Sequence, residues 1–387
     1  MSMLAMNTIF KEEARRPYLT SEGAVDWNKV GARFAELKAK KESLGNKHFT
    51  PEVRAMALTL PEEKQQRLLD IMVSALTNDD ANIGVYSTRP EDSVEFGFYL
   101  DPIICEYHKI VGDTRQEHDW NIPVGLYRLV DLDPSLDVVS MRSRVGRNVE
   151  GWNLPSSMNE EERVRFEEFM SEEIFTQLPF AGQYYSLTPR HAKEMDGELA
   201  EEMRVKHYLF NDMTTDNHLT SSGIASDWPY GRGIWLSEDR EKMIWIGEED
   251  HLRIISIVKG TDLGLVDKSL SDLLTAIEKA GVKFAEHETY GVITTCPTNM
   301  GTGKRQSVLL NFPNLSKNGS DEANLKNVAK ALGLQARGLS GEHSQMNELG
   351  TSDISPMARF GVTEAEVTRR LYEGLQKLIA MERGENF

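Results

Sequence analysis

The sequence predicts a two-part chain of mixed α and β class, helical first and strand-rich afterwards. Three observations carry this. Residues 27–41 (WNKVGARFAELKAKK) set Val30, Phe34 and Leu37 three and four apart, the stripe of an amphipathic helix. Residues 136–144 (LDVVSMRSR) alternate and are β-branched, which reads as a strand. Residues 233–236 and 243–246 are short apolar runs joined by a polar turn, a hairpin pattern. Strands carrying helices are compatible with α+β or α/β, and the hairpin favours an antiparallel sheet, hence α+β.

Each further element has its own signal. Thr50-Pro51 places a hydroxyl cap before proline at the first helical position. Leu60-Pro61 opens another helix, running to about Leu76. Residues 79–86 form a polar, glycine-containing loop, and Phe98 to Val111 reads as a helix. Residues 112–124 are polar and hold a proline, so the boundary falls there, giving units 1–118 and 119–387. Beyond it, strands are expected at 136–144, 233–236, 243–246, 252–259, 290–295 and 307–312. Helices are expected at 159–178, 262–280, 324–332 and 363–381.

Composition excludes several classes of function. Of 387 residues, 44 are Lys or Arg and 61 are Asp or Glu, a net charge of −17 that repels nucleic acid and anionic membranes. Two cysteines, Cys105 and Cys296, make no disulfide framework and suit a reducing compartment. The first residues lack a signal-peptide pattern, and no apolar run approaches the ~20 residues of a membrane span. A cytoplasmic protein is expected.

Four segments concentrate chemistry. Residues 296–305 (CPTNMGTGKR) hold a thiol, a glycine-rich turn and a cation between two apolar runs. The tail Gly301-Thr-Gly-Lys304 does not make a phosphate-binding P-loop: Thr298 stands where that motif needs glycine, and Arg305 where it needs Ser or Thr. In residues 247–253 (GEEDHLR), strand alternation would set Glu249, His251 and Arg253 to one side; a solvated charged turn is the other reading. Alternation also puts Ser140, Arg142 and Arg144 on one strand face, either as an anion site or as an edge blunted by charge. Residues 337–343 (RGLSGEH) are a glycine-flanked loop with Arg337 and Glu342 near its ends, either a closing loop or a plain surface loop. Polyphosphate is the natural partner of these arginines, and a cation that of the carboxylates. A phosphoryl group moving onto or off a guanidinium or amine satisfies both.

These segments resemble the phosphagen (ATP:guanidino) kinases, the family of arginine kinase and creatine kinase, and most of all its arginine-type members. Residues 296–302 are similar to the family's active-site signature, and residues 228–234 (WPYGRGI), 248–256 (EEDHLRIIS) and 337–343 to further blocks in the family's order. The resemblance implies a small all-helical N-terminal domain that holds the guanidino substrate. It implies a larger ATP-binding domain with an antiparallel sheet flanked by helices. It implies reversible transfer from Mg²⁺-ATP, the metal being held by nucleotide phosphates and water with no protein ligand, to give a phosphoguanidine and ADP. It assigns Arg142, Arg144, Arg253, Arg305 and Arg337 to the phosphates, with Ser140 and Ser307 in the same segments and His207 against adenine. It assigns Glu249 and Glu342 to the guanidinium and Cys296, as thiolate, to a guanidino nitrogen. Asn82, Ile83, Gly84 and Tyr86 match the short guanidino-specificity loop and Tyr107 a second discriminating position, which favours L-arginine, with taurocyamine or another guanidine as runner-up. Asn82 and Leu309 depart from the glycine and histidine usual at those places. A silent nucleotide-binding relative is the rival from another class, and the family contains monomers, dimers and larger assemblies.

Overall fold

The computed structural model describes residues 9–338 and 347–385. The N-terminal part is helical. Helix Trp27–Lys40 is capped by Asp26, whose side chain accepts from the amides of Asn28 and Lys29, and it buries Trp27, Val30, Phe34 and Leu37. Pro51–Thr59 starts under the Thr50 hydroxyl, and Glu62–Thr77 supplies the central buried helix. Gly97–His108 ends this part, with Lys109 in the left-handed conformation as its cap.

The second part is built on an antiparallel sheet. Its strands are β1 (Val139–Arg147), β2 (Gly182–Ser186), β3 (Gly233–Ser237), β4 (Lys242–Ile246) and β5 (Leu252–Gly260). A two-stranded ribbon, β6 (Glu286–His287) with β7 (Gly291–Val292), stands apart. The sheet is completed by β8 (Lys304–Asn311), β9 (Leu334–Arg337) and β10 (Thr351–Pro356), in the order β2-β3-β4-β5-β1-β8-β10-β9.

Helices cover one face of this sheet. Leu263–Lys279 packs on β5 and β1, Glu364–Glu382 on β8 and β10, and Glu322–Ala331 on β9. Strand β1 alternates strictly, Val139, Met141, Ser143, Val145 and Arg147 being buried. Ser143 donates to Asp267 of the covering helix at 2.6 Å, so that set faces the helices. The alternate residues, Ser140, Arg142 and Arg144, therefore share the opposite face. That face carries the chemistry.

The expected elements are largely present, with four corrections. Strand β1 begins at Val139, because Asp133 caps a turn through the Leu136 amide (2.9 Å) that holds the preceding residues out of the sheet. Residues 290–295 form a strand only at Gly291–Val292. Side chains hold the rest: the Thr295 amide donates to Asp250 Oδ1 at 2.7 Å, and Thr294 Oγ1 to the Cys296 carbonyl at 2.7 Å. The expected helix 159–178 is α-helical only over Glu160–Glu168, then widens into a π turn at Phe169–Ile174. Strands β2, β9 and β10 were not expected. They are short or polar, and β10 ends in proline.

Candidate active site

Five neighbouring strands bring the arginines to one sheet face. Register sets Arg144 opposite Arg305 and Arg142 opposite Ser307. Arg253 faces Gly146 on the other side of β1. At the far side Arg337 faces Asp353. Among the described residues neither Arg142 nor Arg144 makes an ion pair at contact distance, although Arg142 feels the charges of Asp353 and Glu248, and Arg142 Nε is buried without an acceptor. Burial pulls Arg142 down to about 10, and burial reinforced by Arg142, Arg253 and Arg305 holds Arg144 well below the usual guanidinium range. Such a row is costly by itself and is relieved by an anion. Arg305 is steadied from below, its Nη2 donating to Asp353 at 2.6 Å and its Nε to Ser355 at 3.1 Å.

Arg144, Arg253, Arg305 and Arg337 line a cleft of about 870 Å³ that also reaches Asn82, Ile83, Gly84 and Tyr86 of the helical part. The expected specificity loop and four of the five expected phosphate arginines, all but Arg142, thus meet in one cavity. The loop is pinned from behind, its Asn82 and Ile83 carbonyls accepting from the amides of Leu44 (2.9 Å) and Gly45 (3.0 Å). Gly84 is at φ +71, and a side chain there would meet Ala75 Cβ at 2.6 Å. One step on, the Ser87 amide donates to the Thr295 carbonyl at 2.8 Å. A single backbone bond thereby ties the residue after Tyr86 to the residue before Cys296.

The carboxylates sit beside the arginine row. Glu248 pairs with Arg253 at 2.8 Å and Glu249 with the same nitrogen at 3.5 Å. Burial, then the charge of Glu248, pushes the Glu249 carboxyl up to about 7. Cys296 Sγ lies 3.1 Å from Thr298 Oγ1, and burial followed by Glu249 pushes its thiol up to about 12. The chain's own charges therefore favour the thiol, where the resemblance implied a thiolate. A guanidinium beside the sulfur acts in the opposite direction and would stabilise the thiolate.

The glycine-rich turn has a packing role. Gly301 is at φ +95, and a Cβ there would stand 2.3 Å from the Arg359 carbonyl. Lys304, the would-be P-loop lysine, points away from the cleft into the helix layer. It donates to Asp267 at 2.5 Å, to the Glu364 carbonyl at 2.8 Å and to Thr368 at 3.0 Å.

Other expected residues fall elsewhere. His251 does not share a side with Glu249 and Arg253. It is buried, accepts from the Val149 amide at 3.0 Å, and is pulled down to about 4 by burial. The alternation assumed there fails because β5 begins only at Leu252, after a turn. Ser140 lines a separate groove of about 410 Å³ at the other end of β1, together with Leu309. Ser307 is buried within β8. His207 is exposed, with φ at 58°, and does not line the cleft. Glu342 lies outside the described residues.

The cleft also contains residues that sequence reasoning missed. Arg359 follows β10 and contacts Asn299 Oδ1, and Asn299 Nδ2 in turn donates to Glu249 Oε1 at 3.3 Å. Burial pulls Arg359 down to about 10. The available signal was an arginine four residues after Ser355, hidden because β10 itself was not recognised.

A row of guanidinium groups beside the Glu248 and Glu249 carboxylates defines a site for moving an anionic group onto a cation. Comparison with known proteins places the chain in a family. Residues 165–385 match the model of the ATP:guanido phosphotransferase C-terminal catalytic domain, and residues 39–105 that of the ATP:guanido phosphotransferase N-terminal domain. The chain is 34% identical to arginine kinase Oct f 2 of Amphioctopus fangsiao, over 90% of this chain and 97% of that protein. It is 40% identical to a taurocyamine kinase of Schistosoma mansoni over 290 residues, 74% of this chain and 37% of that protein. The duplicated S. mansoni taurocyamine kinase with bound transition-state-analog components superposes with a TM-score of 0.78 at 30% identity, covering 97% of this chain and 51% of that one. A lombricine kinase crystal structure superposes with a TM-score of 0.77 at 28% identity, covering 90% and 95%. The chain belongs to the ATP:guanido phosphotransferase family. It is a guanidino phosphotransferase that uses ATP and ADP, with the helical N-terminal domain and antiparallel catalytic domain of the phosphagen kinases. No helix among the described residues is long and apolar enough to cross a membrane.

Proposed function

We propose that this chain transfers the γ-phosphoryl group of ATP reversibly to L-arginine, with units 1–118 and 119–387 holding the guanidine and the nucleotide. The observation that carries this reading is that Asn82, Ile83, Gly84, Tyr86 and Tyr107 line one cleft with Glu249, Arg144, Arg253, Arg305 and Arg337. Arg142, Arg144, Arg253, Arg305 and Arg337 clamp the phosphates, with Ser140, Ser307 and His207 along the rest of the nucleotide. Glu249 and Glu342 align the planar guanidinium, so that one nitrogen attacks the γ-phosphorus in line. Cys296 orients the same group without forming a covalent intermediate. Glu249, with its raised affinity for a proton, accepts one as the nitrogen attacks. Mg²⁺ bound with the nucleotide would be held by phosphate oxygens and water, and would offset their charge.

Taurocyamine is the second reading, favoured by the 40% identity to a taurocyamine kinase. A coupled assay for ADP release with ATP, Mg²⁺ and arginine, taurocyamine or lombricine separates them. The highest kcat/KM is expected for arginine. Faster turnover of taurocyamine overturns the substrate choice, and no ADP with any guanidine overturns the mechanism.

A further inference from the structure

A second cavity, of about 620 Å³, adjoins the cleft across a wall that includes Thr298, Met357 and Arg359. Its apolar lining comes from Leu332, Pro356 and Phe360, the last packed against the His108 ring at 5.8 Å. Its rim carries Lys109, Lys330, Arg370 and Lys377, all exposed. Arg370, Glu373 and Lys377 recur three and four residues apart on helix Glu364–Glu382 and so share one face. The one acid there, Glu373, is engaged by Arg369 at 2.8 Å. Among the described residues none of the four rim cations has an ion-pair partner. In a chain with net charge −17, four uncompensated cations around an apolar hollow are an anomaly of charge. The volume falls in the roughly 300–1,000 Å³ range of ligand pockets.

We propose that this cavity binds an amphipathic organic anion, an aromatic or acyl body bearing one sulfonate, carboxylate or phosphate. The body rests on Leu332, Pro356 and Phe360, and the head group sits among Lys109, Lys330, Arg370 and Lys377. The site is separate from the phosphate row, which lies on the far side of Arg359.

The probe is 8-anilinonaphthalene-1-sulfonate, titrated by fluorescence into the full chain with Mg²⁺-ADP and arginine at saturation. One probe per chain is expected to bind under those conditions. The triple variant K330E/R370E/K377E changes exposed side chains only, so it folds and keeps its basal turnover. It weakens probe binding by about tenfold, the sum of several exposed charge contacts. Saturable binding seen only when Mg²⁺-ADP is left out, absence of saturable binding altogether, or an unchanged dissociation constant in the triple variant would overturn the proposal.

Discussion

Arg144 and Arg305 stand directly opposite each other on adjacent strands, on the same face of the sheet. Like charges in that relation destabilise a strand pair unless an anion lies between them. The Arg144→Gln variant is therefore expected to stabilise the nucleotide-free protein by about 0.5 kcal/mol. Its affinity for ADP falls about 10–100-fold, because a charge-assisted contact is lost. Thermal melting and ADP titration test both parts. A nucleotide-free variant less stable than the parent would sink the account of the row as an anion site.

Glu249 offers a test by pH. Its carboxyl titrates at about 7 in the fold against an ordinary 4.5, so between those values the folded chain binds more protons than the unfolded one. Its contribution to stability accordingly falls as pH rises through that window. The Glu249→Gln variant removes that loss while Glu248 keeps Arg253 paired at 2.8 Å. Its melting temperature at pH above 7 is expected to equal or exceed the parent's, while kcat falls about 10²–10⁴-fold. In the parent, kcat/KM climbs as pH passes about 7. A flat profile across that range contradicts a proton-accepting role.

Cys296 is buried, and burial followed by the charge of Glu249 keeps it as the thiol. The Cys296→Ser variant retains the fold and loses at least about tenfold in turnover, the scale of a misplaced orienting contact. Near-normal turnover with arginine would remove the sulfur from the mechanism.

Arg359 contacts Asn299, which in turn donates to Glu249 at 3.3 Å. Arg359→Ala is expected to raise KM for the guanidine and lower kcat, together costing about 10–100-fold in kcat/KM. The dissociation constant for ATP stays within about twofold, since the five arginines on the strands remain in place. A selective loss of ATP binding would instead place Arg359 among the phosphate contacts.

Lys304 tests the glycine-rich turn. Its ammonium is buried against Asp267, so Lys304→Ala leaves an unpaired buried carboxylate and costs about 3–5 kcal/mol of stability. Denaturant unfolding measures it. Nucleotide affinity in the folded fraction is expected to be unchanged, which a phosphate-binding lysine would not allow.

The helical domain was legible because its stripes are local: Trp27, Val30, Phe34 and Leu37 fall on one face by spacing alone. The arginine row was only half legible. Alternation within β1 put Arg142 and Arg144 together, but their nearness to Arg305 and Arg337 depends on strand order, which no local pattern encodes. Strands β9 and β10 escaped because Leu334–Arg337 is too short to show a period and Thr351–Pro356 is largely polar. With β10 went Arg359. His251 was misplaced for the opposite reason, an alternation continued through a turn that does not obey it.

The bond from the Ser87 amide to the Thr295 carbonyl fixes the spacing between the loop proposed to select a guanidine and the segment proposed to handle its reactive end. Selectivity can then vary along residues 79–84, upstream of that tether, while the reacting nitrogen keeps its place. An enzyme built this way changes its customer by trimming the far side of the loop. Altering residues 85–88 would shift what is recognised and where it reacts at once, and that short stretch is the place where a change in preference should be inseparable from a loss of rate.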